Sequence, residues 1–139
     1  MSVSTLDLAM EQALILAAIE VRENAYCRYS HYQVGSAILT ESGEIISGCN
    51  VENAAYGSTI CAERNAVGAA VAKGQRVFQT VVVATQDGQG YPCGACRQFL
   101  NEFSPDMRVL TVDPKGNVIN RTTLSTLLPH AFGPQNLGT

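Results

Sequence analysis

The sequence predicts an α/β protein: a three-layer α/β/α sandwich around a mixed sheet of about five strands, with residues 1–139 forming one domain. Three observations carry that expectation. A long helical periodicity opens the chain, a hairpin pattern follows it, and helix and strand signals then alternate. Alternation implies parallel pairing through right-handed crossovers, and the opening hairpin adds one antiparallel pair.

Taken in order, residues 6–26 read as a helix, because Leu6, Ala9, Ala13, Leu16, Ala17 and Glu20 recur at three- and four-residue steps and all but the last are apolar. Ser4 or Thr5 can cap its start. Residues 32–39 and 44–49 read as two strands joined by a turn at Ser42-Gly43. Residues 50–60 are small and polar, as a loop requires. An Ala-rich helix follows over 61–73, with Gly74 as its stop. The run Val81-Val82-Val83-Ala84 marks a strand over 77–84 that is buried on both faces. After a loop from Thr85 to Tyr91, Pro92 opens a short helix that reaches Phe103. Residues 107–112 are strand-like, and Asp113-Pro114-Lys115-Gly116-Asn117 is a turn signal. A short strand over 118–121 and a helical turn over 122–128 close the pattern, leaving a tail without periodicity.

At 139 residues the chain is the size of a single domain. Charged residues make up 15%, against about 25% in ordinary globular proteins, which suggests that partner subunits cover some of the surface. The net charge is −3 and the nine Lys and Arg residues are scattered without a basic stripe. That composition points away from nucleic acid and toward a small-molecule partner. No stretch reaches the roughly 18 apolar residues of a membrane span. The N-terminus lacks the basic, apolar and small-residue order of a secretion signal, so a cytoplasmic location is expected. Of five cysteines, Cys27 and Cys49 read as buried small apolar residues, and as free thiols they suit a reducing compartment.

The remaining thiols are the informative ones. Cys61-Ala62-Glu63 is followed by Pro92-Cys93-Gly94-Ala95-Cys96, which together supply three thiolates and a carboxylate. Three thiolates can hold zinc and leave a tetrahedral position open, as a catalytic site needs. Residues three apart share a helix face, so Cys93 and Cys96 can chelate one ion. Zinc with three thiolates carries a net negative charge. Two helix N-termini, about half a positive charge each, and Arg64 would offset it. Glu63 is then the natural proton carrier. A fourth ligand from Cys27, Cys49, His31 or His130 would instead make the zinc structural, as in a partner-binding zinc module.

The chain resembles the small homotetrameric zinc-dependent cytidine deaminases. The resemblance runs from Tyr26 to Leu137 and rests on Tyr29-Ser30-His31-Tyr32-Gln33-Val34-Gly35, Asn50-Val51-Glu52-Asn53-Ala54-Ala55-Tyr56-Gly57, Cys61-Ala62-Glu63-Arg64, Pro92-Cys93-Gly94-Ala95-Cys96-Arg97-Gln98 and Leu127-Leu128-Pro129 through Ala131-Phe132-Gly133-Pro134. Zinc deaminases as a class use a Glu that is not a metal ligand. Relatives acting on nucleotides or nucleic acids tend to have His where this chain has Cys61, so a free nucleoside is implied. The resemblance implies one zinc per subunit on Cys61, Cys93 and Cys96, with Glu63 catalytic and Arg64 supporting the sulfurs. It implies ribose binding by Asn50 and Glu52, and 5′-hydroxyl contacts from Ala54 and Tyr56 of a neighbouring subunit. Phe132 would cross into a neighbour's pocket, backbone near Ala62 and Tyr91 would hold the pyrimidine edge, and Tyr32 would face the base. Tyr32, Arg28 and Tyr91 stand where the family commonly has Phe, Pro and a small hydroxyl residue. The implied reaction converts cytidine and 2′-deoxycytidine to their uridine forms with release of ammonia, in pyrimidine salvage. A cytosine-containing antibiotic such as blasticidin is the alternative substrate, though the intact Asn50-Val51-Glu52-Asn53 segment favours an ordinary ribose.

Overall fold

The computed structural model describes residues 5–139, with side chains in the first helix from residue 7 onward. Helix α1 spans Thr5–Arg22, and the hairpin strands are β1 (Gly35–Thr40) and β2 (Ile45–Cys49). Helix α2 (Ala62–Ala72) leads to β3 (Phe78–Ala84), and α3 (Gly94–Asn101) leads to β4 (Arg108–Val112). Strand β5 (Val118–Thr123) runs into one helical turn, α4 (Leu124–Leu127).

The five strands make one sheet in the order β2-β1-β3-β4-β5. Strands β3 and β4 pair in parallel, while β1–β2, β1–β3 and β4–β5 are antiparallel. The sequence predicted a single antiparallel pair. The difference arises because β1 lies between β2 and β3, so the crossover through α2 spans an intervening strand of opposite sense. The turn after β4 closes a second hairpin, with Asp113 Oδ1 accepting from the Lys115 and Asn117 amides, both at 2.9 Å.

Each face of the sheet has its own core. Ile38, Val81 and Val109 meet Ala66, Val67, Ala70, Leu100 and Leu124 from α2, α3 and α4. Ala37, Leu39, Val82 and Leu110 meet Leu14, Ile15 and Ala18 of α1. The alternation along β3 explains the continuous apolar run, since both faces of that strand are covered. Leu100 and Leu14 are fully buried, and truncating either to Ala removes about 2–5 kcal/mol of stability.

Helix α1 turns a different face inward from the one its periodicity predicted. Glu11, Leu14, Ile15, Ala18 and Arg22 are buried, whereas Ala9, Ala13, Leu16 and Glu20 are exposed and Ala17 is half-buried. The helix is apolar nearly all round, so spacing alone does not choose a face. Two charged residues sit on the covered side because each has partners there. The helix also ends at Arg22 rather than 26, because the Tyr26 amide donates to the Asn50 carbonyl at 3.0 Å instead of continuing it. Thr5 is already helical and Ser4, the other predicted cap, lies outside the described residues.

Two glycines set how closely the helices lie on the sheet. A Cβ on Gly35 would stand 2.0 Å from the Ala18 carbonyl oxygen, and one on Gly48 would stand 2.5 Å from the Ala66 amide nitrogen. Neither approach is open to a larger residue. Gly35 lets α1 press on β1, and Gly48 seats the first turns of α2 against β2.

Candidate active site

Gly35 pairs with Cys49 on one side and with Ala84 on the other, which forms the last rung at one end of three strands. The next residue beyond each is Val34, Asn50 and Thr85, and all three line a cavity of about 330 Å³. That volume lies in the range of small-molecule sites. Asn50 closes the gap on the β2 side: its Oδ1 accepts from the Val34 amide at 3.0 Å and its Nδ2 donates to the Tyr32 carbonyl at 2.9 Å.

The N-termini of α2 and α3 meet at the same cavity. Cys61 and Cys93 are the residues immediately before the two helices, with nearly the same backbone angles (φ −69°, ψ 155° and φ −67°, ψ 170°), and neither side chain caps its own helix. Their sulfurs are therefore turned to each other, 3.8 Å apart. Cys96 is one turn into α3 and fully buried. All three sulfurs lie within 4.8 Å of one another, and no fourth Cys, His, Asp or Glu joins the group among the described residues. A tetrahedral zinc with bonds of about 2.3 Å would hold thiolates about 3.8 Å apart, so the donor set fits that ion. Cys27, Cys49, His31 and His130 stand apart from it. Cys27 and Cys49 are half-buried rather than buried, and burial raises the pKa of both thiols.

The sulfurs share charge unevenly. Hydrogen bonding from Cys96, then from Arg64 and Cys93, brings the Cys61 thiol down to about 5, against the opposing effect of burial. Cys96 is pushed far up, first by its hydrogen bond to Cys61 and then by burial. Cys61 is thus the sulfur most disposed to ionise, and Cys96 the least. A dication on the three sulfurs would draw off the remaining protons. Arg64 Nη2 donates to Cys61 Sγ at 3.5 Å, as its position three residues along the helix predicted.

Glu63 lines the cavity and is only 4% exposed. Burial first, and then the charge on Cys61, push its carboxyl up to about 7. Glu52 behaves in the opposite way. It accepts from the Ser30 hydroxyl, from the Ser30 amide at 3.1 Å and from the Tyr29 amide at 3.0 Å. Those bonds, the Ser30 hydroxyl foremost, lower its pKa. They also hold the turn in which His31 takes a left-handed φ of 60°.

Tyr32, Ala62 and Tyr91 line the cavity with Asn50, Glu52 and Glu63. Ala54, Tyr56 and Phe132 do not; all three are exposed, and the Phe132 carbonyl accepts from Gln98 Nε2 at 2.9 Å and from Asn101 Nδ2 at 3.5 Å, both on α3. The Tyr56 ring instead meets Tyr29 edge-on at 5.9 Å, beside a second hollow of about 380 Å³ that shares Ser30, Glu52 and Thr59 with the first. The sequence did not assign Val34, Thr59, Val83, Thr85 or Gly90 to the site, although all of them line the cavity. Val34 and Thr85 become legible once the register is known, because each follows the last rung.

The family described as the cytidine and deoxycytidylate deaminase zinc-binding region matches residues 9–112. A cytidine deaminase of Sporosarcina psychrophila is 46% identical over 128 residues, which is 91% of this chain and 93% of that protein. A blasticidin-S deaminase of Bacillus cereus is 36% identical over 107 residues, 70% of this chain and 75% of the relative. The crystal structure of a cytidine deaminase from Burkholderia pseudomallei superposes with a TM-score of 0.81 at 44% identity, covering 86% of this chain and 97% of the other.

Proposed function

The chain belongs to the cytidine and deoxycytidylate deaminase family, and from that premise we propose that it hydrolyses cytidine and 2′-deoxycytidine to uridine and 2′-deoxyuridine with release of ammonia. The observation that carries the reading is the convergence, in one cavity, of a three-sulfur group, a buried Glu63 and the Asn50–Glu52 pair.

Cys61, Cys93 and Cys96 would hold the zinc, which supplies the Lewis acidity that makes water a nucleophile at neutral pH. Glu63 handles the protons. With its carboxyl held at about 7, it can both accept and return a proton at neutral pH. It takes one from the attacking water and delivers it to N3 of the ring, then takes the other from the hydroxyl now on C4 and carries it to the 4-amino group as the C4–N bond breaks. The water oxygen stays on C4 and ammonia leaves, so Glu63 ends each turnover as it began. The base lies against Tyr32, with its edge on backbone near Ala62 and Tyr91. Glu52 has accepted three donors, and a carboxylate has room for about four, which leaves one site for a ribose hydroxyl. Asn50 keeps one Nδ2 hydrogen for the same sugar.

The 139 residues act as one domain within a homotetramer. Ala54, Tyr56 and Phe132, exposed in the single chain, complete a neighbour's cavity. No helix among the described residues is long and apolar enough to cross a membrane, and the enzyme works on salvaged nucleosides in the cytoplasm. Ultraviolet-monitored deamination of cytidine by the zinc-loaded protein tests the reading. Turnover supports it. Inactivity on cytidine with turnover of blasticidin S would move the assignment to that antibiotic, and inactivity on both would reduce the site to a structural zinc module.

A further inference from the structure

Arg22 is 7% exposed, and no carboxylate pairs with it among the described residues. Its guanidinium is held by two neutral acceptors: Nε donates to the Gln33 carbonyl at 3.0 Å and Nη2 to Gln86 Oε1 at 2.8 Å. Those two residues are not an arbitrary pair. Strands β1 and β3 end their ladder at Gly35 and Ala84. Continuing that antiparallel register outward would match Val34 with Thr85, and then Gln33 with Gln86. The strands part instead, and the cavity opens where they part, with Tyr32 and Val34 on one wall and Thr85, Gly90 and Tyr91 on the other. Arg22 bridges the two residues of that missing rung, through the Gln33 carbonyl and the Gln86 side chain.

Three features make this a strut rather than a chance contact. The planar guanidinium donates along fixed directions, so both partners are held at a set spacing. Its own backbone cannot drift, because a Cβ on Gly35 would stand 2.8 Å from the Arg22 amide nitrogen, so α1 is already in contact with the strand. The residues on either side of Gln33, Tyr32 and Val34, are fixed by Asn50. We propose that Arg22 is a positioning residue that holds the two walls of the cavity apart at the width of a pyrimidine ring, acting through Gln33 and Gln86 without touching substrate.

The inference rests on the cavity being the nucleoside site, and its test separates the two ideas. Arg22→Met keeps the length and loses both hydrogen bonds; Gln86→Leu changes an exposed residue and loses one. Zinc-loaded wild type and both variants would be assayed on cytidine, with zinc content and amide hydrogen exchange measured beside them. Loss of a charge-assisted hydrogen bond is worth about tenfold in an equilibrium. Arg22→Met should therefore raise KM about tenfold or more, leave kcat within about threefold and retain zinc. Gln86→Leu should raise KM less, and the double variant should be no worse than Arg22→Met alone. Exchange at Val34 and Gly90 should quicken in both single variants. A lowered Tm with unchanged KM would show a merely structural residue and overturn the proposal, as would additive effects of the two substitutions. If wild type fails to deaminate cytidine, the nucleoside assignment fails, and unchanged exchange at Val34 and Gly90 would then still overturn the strut.

Discussion

Arg64 Nη2, in the first turn of α2, lies 3.5 Å from the sulfur of Cys61, the residue immediately before that helix. The contact puts a permanent positive charge against the sulfur whose thiol is lowered to about 5. A three-thiolate zinc is otherwise electron-rich and a weak Lewis acid, and two helix N-termini alone offer about one unit of compensating charge. On a zinc bound there, Arg64 would bear on the electronics of the ion more than on the fold.

Arg64→Gln should keep zinc and native circular dichroism but lower kcat by about tenfold to a hundredfold, the scale of removing one charged interaction at a reacting centre. Steady-state kinetics with measured zinc occupancy check this. Kinetics equal to wild type would remove the charge-balance argument.

Glu63→Ala should fold, retain one zinc per chain, and lose turnover by at least about a hundredfold to ten-thousandfold, the range ascribed to a general acid–base group. Near-normal turnover in a zinc-loaded mutant would assign the protons to another group.

Cys96→Ala should lose the metal and lower the melting temperature, because Cys96 belongs to the three-sulfur group and is a fully buried core residue at the start of α3. Zinc analysis and thermal melts of both proteins, with and without chelator, separate the two effects. Chelator should lower Tm in wild type and leave the mutant unmoved. A mutant that still binds one equivalent of zinc would contradict the three-sulfur assignment.

Glu11 should govern part of the acid limb of stability. Arg121, foremost through a hydrogen bond at 2.6 Å, and Arg108 hold its carboxyl below the ordinary 4.5. The ionised form is thus favoured in the folded chain. Its contribution is present above 4.5 and fades as pH falls through the lowered value. The arginines are 45% and 57% exposed, which screens the pair to about 1 kcal/mol. Glu11→Gln should lower stability by that amount at pH 7 and converge with wild type once pH falls below the lowered value. Denaturant melts across pH test it, and a constant gap at all pH values would show that charge is not the cause.

Phe132→Ala should reduce cytidine turnover although the ring is 59% exposed in the single chain and lies outside its cavity. Sedimentation of wild type should show an assembly. A stable, fully active monomer would overturn the cross-subunit role.

The sulfur group was legible because its logic is local: Cys93 and Cys96 are one helical turn apart, and both Cys61 and Cys93 stand where strand-and-loop gives way to helix. The strand run at Val81-Val82-Val83 was legible for a similar reason, since burial on both faces leaves no polar alternation. The covered face of α1 was not, because a helix with apolar residues all round is oriented only by what it meets, here Gly35, Arg108 and Arg121. Strand order was not legible either, since the hairpin signal at Ser42-Gly43 does not say that β1 will pair again with β3. Arg22 and Gln86 are 64 residues apart, and nothing short of the register relates them.

Cys61 and Cys93 are 32 residues apart, with the whole of β3 between them. An ion held by both is therefore a crosslink around the central strand, closing a loop that in a disulfide would remove about 4 kcal/mol of chain entropy from the unfolded state. Reductants that open disulfides leave a zinc–thiolate staple intact. An ion bound there would give the chain the stiffening of a disulfide without requiring an oxidising setting, through the same three sulfur atoms.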